Sequence, residues 1–450
     1  MNLSNLLKLS FFTLFFLLNH QLLAQLDEAT YLQTNSFVVD TNIYSSTLIN
    51  ELSKNNIVMF GHEHGTSLNQ TADLWLMKSL VAQGFKYIVV ELNYTYAYFL
   101  NEYLKVGDEA LLDFVISNGY FWGTPQDASV ELRNKWMAFK KYHDTLPPNM
   151  KVKIIGGEAQ RNVDLVHVSR LVPSFPTGIS MIDSLEKYQE LVKYRGSSWG
   201  YWSTKPIYKG KYKYEDYLQD IAILQFLPKF VKAYQANREP FEAAFGINRA
   251  VFKKLMRFSE EKEYLSRSES IYNTFISALS DSLSGGAKVY VSYGFSHVLQ
   301  EKLSGNSPLG HRLKLSLSDK YKIVSITSMT IDSDHLDAKK YKKGEAVRIK
   351  DIELHKKAYA GYSTYSSDDV KELQLSGKKL VSALNVSDSI VIYPLAKTNS
   401  PFTENQFFIE ALKKAKKYNW FLVNGSSTID YFQYLLVVKG SKANTPFPKM

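Results

Sequence analysis

The residues of this chain best suited to chemistry follow directly after short hydrophobic runs. Four such runs, each typical of a buried strand, end at an ionisable residue or a cluster of them. The histidines and carboxylates in question are His62, Glu63 and His64 after residues 56–60, Glu91 after 87–90, Glu158 after 152–157, and His297 after 287–294. In a parallel α/β sheet the carboxyl ends of the strands lie along one edge, where ligands and catalytic groups collect. The pattern therefore predicts one cleft that receives all of these side chains, as in an enzyme.

Histidines beside carboxylates support two chemistries, and the residues alone leave both open. His64 could act as a general base, because the pKa of an imidazole lies near working pH, and Gly65 would let a substrate approach closely. The same residues could instead bind a divalent metal, although no HExxH motif is present. The ligands in that second interpretation are His62, His64, Glu91 and His297.

The chain offers no strong side-chain nucleophile. It has no cysteine, and Ser296 lies in the sequence Gly294-Phe295-Ser296-His297-Val298, which lacks the second glycine of a nucleophile elbow. Activated water is the nucleophile that remains. For Glu91 and Glu158 a structural ion pair is the alternative role, with Arg161 as the candidate partner of Glu158.

The elements that must position these residues alternate between strand and helix patterns. This order predicts an α/β fold with a mostly parallel sheet and flanking helices. Residues 25–170 and 266–328 would form the two parts of the α/β catalytic domain, with a helix predicted over residues 97–117. Residues 171–265 are mainly helical in pattern, including a helix over 240–255, and are expected to be an insertion that caps the sheet's carboxyl edge. Residues 329–450 are expected to form a C-terminal α+β portion that completes or flanks the sheet, with strands at 389–393 and 431–439 and a helix over 403–417.

The N-terminus and the composition suggest where the protein acts. Residues 1–24 resemble a secretory signal peptide, with an apolar stretch too short to span a bilayer, so we expect a secreted or periplasmic protein without a stable membrane span. The absence of cysteine excludes a lipoprotein anchor and disulfides. The formal net charge of +10 is spread along the chain without a basic face, which argues against nucleic acid as a partner.

Taken together, the motifs resemble those of the erythromycin esterase family over most of the chain after the signal peptide. The segments that carry the resemblance are Gly61–Gly65, Val89-Val90-Glu91, Phe121-Trp122-Gly123, Gly156-Gly157-Glu158, Arg267-Ser268, and Gly294–Val298. The resemblance implies hydrolysis of a small-molecule ester or lactone by water, with no metal or other cofactor. It also implies that His64 is the base, that Glu91 orients it with Glu63 and His62 nearby, and that His297 and Arg267 polarise the carbonyl.

The chain departs from the family pattern at one position that matters. The first histidine of the family's paired motif is Gly294 here, and we hypothesise that His62 takes the place of the missing imidazole. Candidate substrate-binding residues are Glu158 and three tryptophans, Trp122, Trp199 and Trp202. Two further functions remain open: a metal-dependent hydrolase, such as a peptidase, and a binding protein that has lost catalysis.

Overall fold

A computed structural model gives the fold of the chain. It describes residues 28–43, 46–120, 127–158, 162–193, 226, 228–261, 267–302, 307–338, 362–367, 375–384, 389–405, 407–409 and 426–447. The strands are β1 (Phe37–Val38), β2 (Ile57–His62), β3 (Phe85–Val90), β4 (Lys153–Gly156), β5 (Lys288–Gly294), β6 (Ile323–Ile331), β7 (Asp334–Ala338), β8 (Tyr362–Ser366), β9 (Ile390–Pro394) and β10 (Tyr434–Lys439). The labelled α-helices are α1 (Thr47–Leu52), α2 (Ser67–Ala82), α3 (Tyr94–Val106), α4 (Glu109–Phe114), α5 (Val130–Thr145), α6 (Ser180–Lys193), α7 (Arg238–Ala244), α8 (Arg249–Glu261), α9 (Arg267–Ser284), α10 (Leu309–Leu317), α11 (Lys378–Ala383) and α12 (Thr428–Tyr431). Residues 28–34 and 228–236 are also helical.

Eight of the strands form one mixed sheet in the order β1-β9-β10-β6-β2-β5-β3-β4. Every neighbouring pair from β10 to β4 is parallel, whereas β9 runs antiparallel to both β10 and β1. Strands β7 and β8 form a separate antiparallel pair. The fold is therefore the α/β arrangement that the sequence predicts, with a mostly parallel sheet and flanking helices.

The four runs that precede the candidate site residues are all strands, and they are consecutive in the sheet. They correspond to β2, β5, β3 and β4. All six residues of β2 are buried, because the strand lies between β5 and β6 and its two faces pack against residues of α2 and of α9 and α10. Since parallel strands end at the same edge, these four strands bring their following residues close together.

The C-terminal part of the chain contributes two strands, β9 and β10, to the interior of the sheet. Strands β9 and β10 occur where residues 389–393 and 431–439 predict them, and β10 lies between β9 and β6. The β7–β8 pair has no counterpart in the sequence prediction. A helix predicted from residue 403 does not begin there, because a 3-10 turn ends at Thr403; most of its remaining length falls outside the described residues.

Two helices that begin near the strand ends have polar capping residues at their N-termini. The hydroxyl of Ser129 accepts a hydrogen bond from the backbone N–H of Leu132 at the start of α5, and the side chain of Asn93 accepts one from Tyr96 at the start of α3. Gly107, at φ 80°, ends α3, so the single helix predicted over residues 97–117 is divided.

Between β4 and β5 the described residues form helices and turns. A helix predicted over residues 240–255 is instead divided at Gly246, which has a φ of 50°, into α7 and α8. The ring of Phe245 stacks on that of Phe252 at 3.7 Å, and both rings belong to the same hydrophobic core as α3. The assignment of residues 171–265 as a separate insertion, like the other domain boundaries, stays a prediction.

Within the described ranges, no helix has the length and apolar character needed to cross a membrane. The predicted signal peptide, residues 1–24, lies outside those ranges. Secretion or a periplasmic location therefore stays a prediction.

Candidate active site

His64 forms a close pair with an aspartate that the sequence did not reveal. Its Nδ1 makes a short hydrogen bond with Oδ2 of Asp127, while Oδ1 of Asp127 accepts from the backbone N–H of Gly65 at 3.1 Å. Burial raises the pKa of Asp127, but His64 and His62 lower it by more, so it lies well below its ordinary value. An ionised Asp127 thus fixes the imidazole so that Nδ1 carries the proton and Nε2 is the acceptor.

His62 contacts the same carboxylate from deeper in the fold. Its Nε2 lies 3.6 Å from Oδ2 of Asp127, and its ring meets that of His64 edge to face at 4.9 Å. The side chain of His62 is 11% exposed and that of His64 25% exposed. His64 is therefore the member of the pair that a substrate can reach.

Glu91 lies at the end of β3 and is ionised. Its Oε2 accepts from the backbone N–H of Gly294 at 2.9 Å, and its Oε1 accepts from Nη2 of Arg267 at 3.1 Å. Burial raises the pKa of Glu91, yet the charges of His297, His64 and Arg267 lower it by more, to about 2. The carboxylate is held in place to orient the groups around it.

Arg267, the first residue of α9, joins two of the strand-end carboxylates. It donates from Nε and Nη2 to the two oxygens of Glu158 and from Nη2 to Glu91. Burial lowers the pKa of Arg267, but Glu158 and Glu91 raise it above its ordinary value. The alternative role weighed for Glu158, a structural ion pair, thus has Arg267 as its partner; Arg161 lies outside the described residues.

His297 completes the group on the other side of Glu91. Its Nε2 lies 3.9 Å from Oε1 of Glu91, and its ring lies 5.4 Å from that of Tyr293. Burial lowers the pKa of His297, and the charge of Arg267 lowers it further. The imidazole is therefore neutral near pH 7 and can donate one hydrogen bond.

Gly294 leaves the space that His64 occupies. A Cβ at this position would lie 2.5 Å from Nε2 of His64 and 3.6 Å from Oε2 of Glu91. Gly294 pairs with His62 across β5 and β2, so the two residues are direct neighbours. The neighbourhood is compatible with the hypothesis that His62 takes the place of the family's histidine, which stays a prediction.

Glu63 is the predicted catalytic residue that the structure places elsewhere. Its side chain accepts a short hydrogen bond from Thr330 of β6, and its Oε2 lies 3.7 Å from Nε2 of His335 in β7. It lies there because its backbone N–H donates to Ser328 at 2.8 Å, which turns Glu63 towards β6. We therefore assign Glu63 to the β6–β7 side of the loop and not to the site around Glu91.

A small cavity of about 20 Å³, which admits a water molecule, lies beneath the histidines. Its lining includes His62, Gln70, Asp127 and Lys135. The Nδ1 of His62 and the Oε1 of Gln70 are buried, and no described residue bonds to them. The cavity is thus polar and borders the site directly.

Lys135 lies on the wall of that cavity and is paired with Asp73. Its Nζ donates to Oδ2 of Asp73 at 2.7 Å, and Asp73 also accepts from Tyr290 at 2.6 Å and from Ser292 at 2.9 Å. Burial raises the pKa of Asp73, but Lys135 and the other neighbours lower it by more. This buried pair fixes α2 and α5 to β5 directly behind the site.

Three ligand atoms in the site are close enough to hold a metal ion. One atom each from His62, His64 and Glu91 lie within 4.8 Å of one another, a group that does not include His297. The donor set suits zinc, and Asp127 on Nδ1 of His64 is the kind of outer carboxylate that such sites use. Arg267 counts against a cation here, because it already donates to Glu91 at 3.1 Å.

The last described residues, 441–447, connect the two loops that carry His64 and Asp127. Isolated bridges pair Thr66 with Ala443 and Ser129 with Pro446. The backbone N–H of Asn444 donates to the carbonyl of Gly65 at 2.8 Å. The C-terminal segment therefore sets the separation of the two loops.

Of the residues that the sequence singled out, the structure gathers six around the strand ends: His62, His64, Glu91, Glu158, Arg267 and His297. Trp122, Trp199 and Trp202 lie outside the described residues, so their contact with substrate stays a prediction. Sequence reasoning missed Asp127, which follows no strand. The only signal near it is Ser129, a cap residue two positions later at the start of α5.

Comparison with known proteins identifies the fold and no more. The chain matches no protein-family model, and no curated protein is significantly similar to it. A solved structure of a succinoglycan biosynthesis protein is 14% identical, with a TM-score of 0.57 over 94% of this chain and 99% of that one. A Bacillus cereus protein is 15% identical, with a TM-score of 0.52 over the same shares of the two chains. A mutant of the erythromycin esterase EreC in its open conformation is 13% identical, with a TM-score of 0.49 over 92% of this chain and 97% of that chain.

Proposed function

We propose that this protein is an exported hydrolase that cleaves an ester or lactone with a water molecule activated by His64. The observation that carries the proposal is the pairing of Nδ1 of His64 with the ionised Asp127. That pairing makes Nε2 the acceptor nitrogen of the ring and places it near Glu91 and Gly294. The motif resemblance to the erythromycin esterase family supports the same reaction type.

The reaction follows from the positions of the charged groups. Nε2 of His64 removes a proton from water as the water oxygen bonds to the substrate's carbonyl carbon, and the electron pair of the C=O bond moves to the carbonyl oxygen. Arg267 and the neutral His297 stabilise the oxyanion. Arg267 uses Nε and Nη2 on the two glutamates, so its Nη1, which no other described residue engages, is available for this. The intermediate collapses by breaking the C–O bond, and protonated His64 returns the proton to the leaving alkoxide.

The direct test measures hydrolysis of a panel of p-nitrophenyl esters and simple lactones by the purified protein. We expect turnover by the wild type and its loss in His64→Gln. His143→Gln is the matched control, because His143 lies near the far end of α5 from Asp127, about 20 Å along the helix. A wild type that turns over none of the panel, or a His64→Gln variant that turns over normally, would contradict the proposal. A binding protein without catalysis would retain ligand affinity and show no turnover.

A metal-dependent hydrolase is the second candidate, favoured by the cluster of His62, His64 and Glu91. Elemental analysis of the purified protein and the same assay with a chelator separate the two. Turnover that resists the chelator supports water activated by histidine. Stoichiometric metal with turnover lost on chelation would make the three residues a ligand shell.

A further inference from the structure

The loop that carries His64 is held on a second side by residues that play no part in the proposed reaction. His335 of β7 is 3% exposed, and its Nδ1 lies 2.9 Å from the carbonyl oxygen of His64. Its Nε2 lies 2.9 Å from Oγ1 of Thr330, which in turn bonds to Glu63. Both nitrogens of this buried ring therefore have partners.

The direction of these hydrogen bonds follows from the groups involved. A carbonyl oxygen only accepts, so Nδ1 of His335 carries a proton and donates it to His64. At the other end, Nε2 faces the hydroxyl of Thr330, whose single proton is donated to Glu63. The bond from His335 to the carbonyl of His64 does not depend on how this second contact is arranged.

The backbone beside His64 is fixed at the same place. The N–H of Leu336 donates to the carbonyl of Gly65 at 2.9 Å. Gly65 has a φ of 85°, and a Cβ on it would lie 2.3 Å from the carbonyl oxygen of Leu336. Strand β7 thus contacts two successive peptide groups of the loop, directly opposite the side on which Asp127 bonds to His64 and Gly65.

We infer that His335 is a positioning residue for His64. By holding the carbonyl oxygen of His64, it sets the backbone from which the imidazole reaches both Asp127 and the site around Glu91. This inference rests on the proposed function, in which a small displacement of the base slows the reaction. A displacement of about 1 Å at a reacting group costs about 100-fold in rate.

Two conservative substitutions of His335 separate its two contacts. In His335→Asn the amide nitrogen takes the place of Nδ1 and still donates to the carbonyl of His64. In His335→Gln the amide group takes the place of Nε2 and keeps only the contact with Thr330. We expect kcat on a p-nitrophenyl ester to fall less than about threefold in His335→Asn and about 100-fold in His335→Gln, with KM unchanged in both. If His335 only stabilised the fold, the two variants would lose similar activity. Equal losses of kcat, or a smaller loss in His335→Gln, would therefore overturn the inference.

A second measurement does not depend on activity. The proton on Nδ1 of His64, held in the short hydrogen bond with Asp127, is expected to give a strongly downfield NMR signal. We expect that signal to persist in His335→Asn and to shift or vanish in His335→Gln. If the wild type hydrolyses no ester but the signal behaves this way, the proposed function fails while the positioning role of His335 stands. A signal unchanged in both folded variants would overturn the positioning role.

Discussion

Two histidine–carboxylate groups lie on opposite sides of the loop after β2, and they use the same residue types differently. On one side Asp127 binds Nδ1 of His64, whose Nε2 lies near Glu91 and Gly294 in a side chain that is 25% exposed. On the other side Glu63 reaches His335 through Thr330, and both nitrogens of a ring that is 3% exposed are engaged. The pairing alone therefore does not distinguish the two histidines; the exposure of the side chain does, and it favours His64 as the base of the proposed reaction.

The largest effect on activity is expected when the carboxylates of the two groups, Asp127 and Glu63, are neutralised in turn. In Asp127→Asn the amide can present an N–H to Nδ1 and favour the wrong tautomer, so we expect kcat to fall on the order of 10⁴-fold. Glu63→Gln keeps a polar partner for Thr330 and is expected to cost less than about tenfold. Steady-state kinetics on one ester measures both variants. Similar losses would mean that the two groups contribute alike to the reaction.

Two glycines extend the comparison, because an added methyl group would meet His64 at Gly294 and the backbone of β7 at Gly65. Gly294→Ala places a Cβ 2.5 Å from Nε2 of His64, so we expect kcat to fall about 100-fold, with unfolding free energy changed by less than about 1 kcal/mol. Gly65→Ala meets the backbone of Leu336 at a φ of 85°, so we expect a loss of about 1–3 kcal/mol in stability. Urea unfolding and kinetics together check both. A Gly294→Ala enzyme of normal activity would show that His64 moves without consequence.

A pH test extends the comparison to Glu91, which lies on the His64 side of the loop. Its pKa of about 2 is below the ordinary value of 4.5, because nearby positive groups favour the ionised form. The stability that Glu91 contributes is therefore complete above about pH 4.5 and is lost as pH falls to about 2. We expect the difference in unfolding free energy between the wild type and Glu91→Gln to shrink between pH 5 and pH 2. A difference that stays constant with pH would contradict the assigned charge state.

The smallest effect is expected at Thr330, which connects Glu63 to His335. Thr330→Val removes the hydroxyl and leaves buried partners unsatisfied, at a cost of about 1–3 kcal/mol in stability. Activity should change less than about threefold, or about 0.7 kcal/mol, since the bond from His335 to the carbonyl of His64 remains. Thr330→Ser is the matched control that retains the hydroxyl. A loss of activity in Thr330→Val as large as in His335→Gln would place Thr330 in the positioning chain as well.

The parts of the site that the sequence predicts are those attached to the sheet. Glu91 and His297 follow buried hydrophobic runs, and the ends of neighbouring parallel strands must meet at one edge. The α/β fold follows from the same pattern. The direction in which the Glu63 side chain points could not be predicted from the sequence. It depends on hydrogen bonds with β6, a strand more than two hundred residues away in the sequence.

Asp127 and His335 were beyond sequence reasoning for a related reason. Asp127 follows no strand, and it reaches His64 because α5 and the C-terminal segment hold its loop. His335 belongs to a strand pair whose contact with Gly65 joins distant parts of the chain. Local periodicity carries no information on either contact, since both depend on how the packed elements meet.

The C-terminal segment couples the reactive pair to the sheet. Residues 441–447 bridge the loops of His64 and Asp127 through Thr66 and Ser129, and they follow β10 directly in the sequence. Strand β10 is itself held between β9 and β6. A displacement of β10 would therefore change the spacing of the two loops, so the contact between His64 and Asp127 depends on a strand that supplies no residue to it.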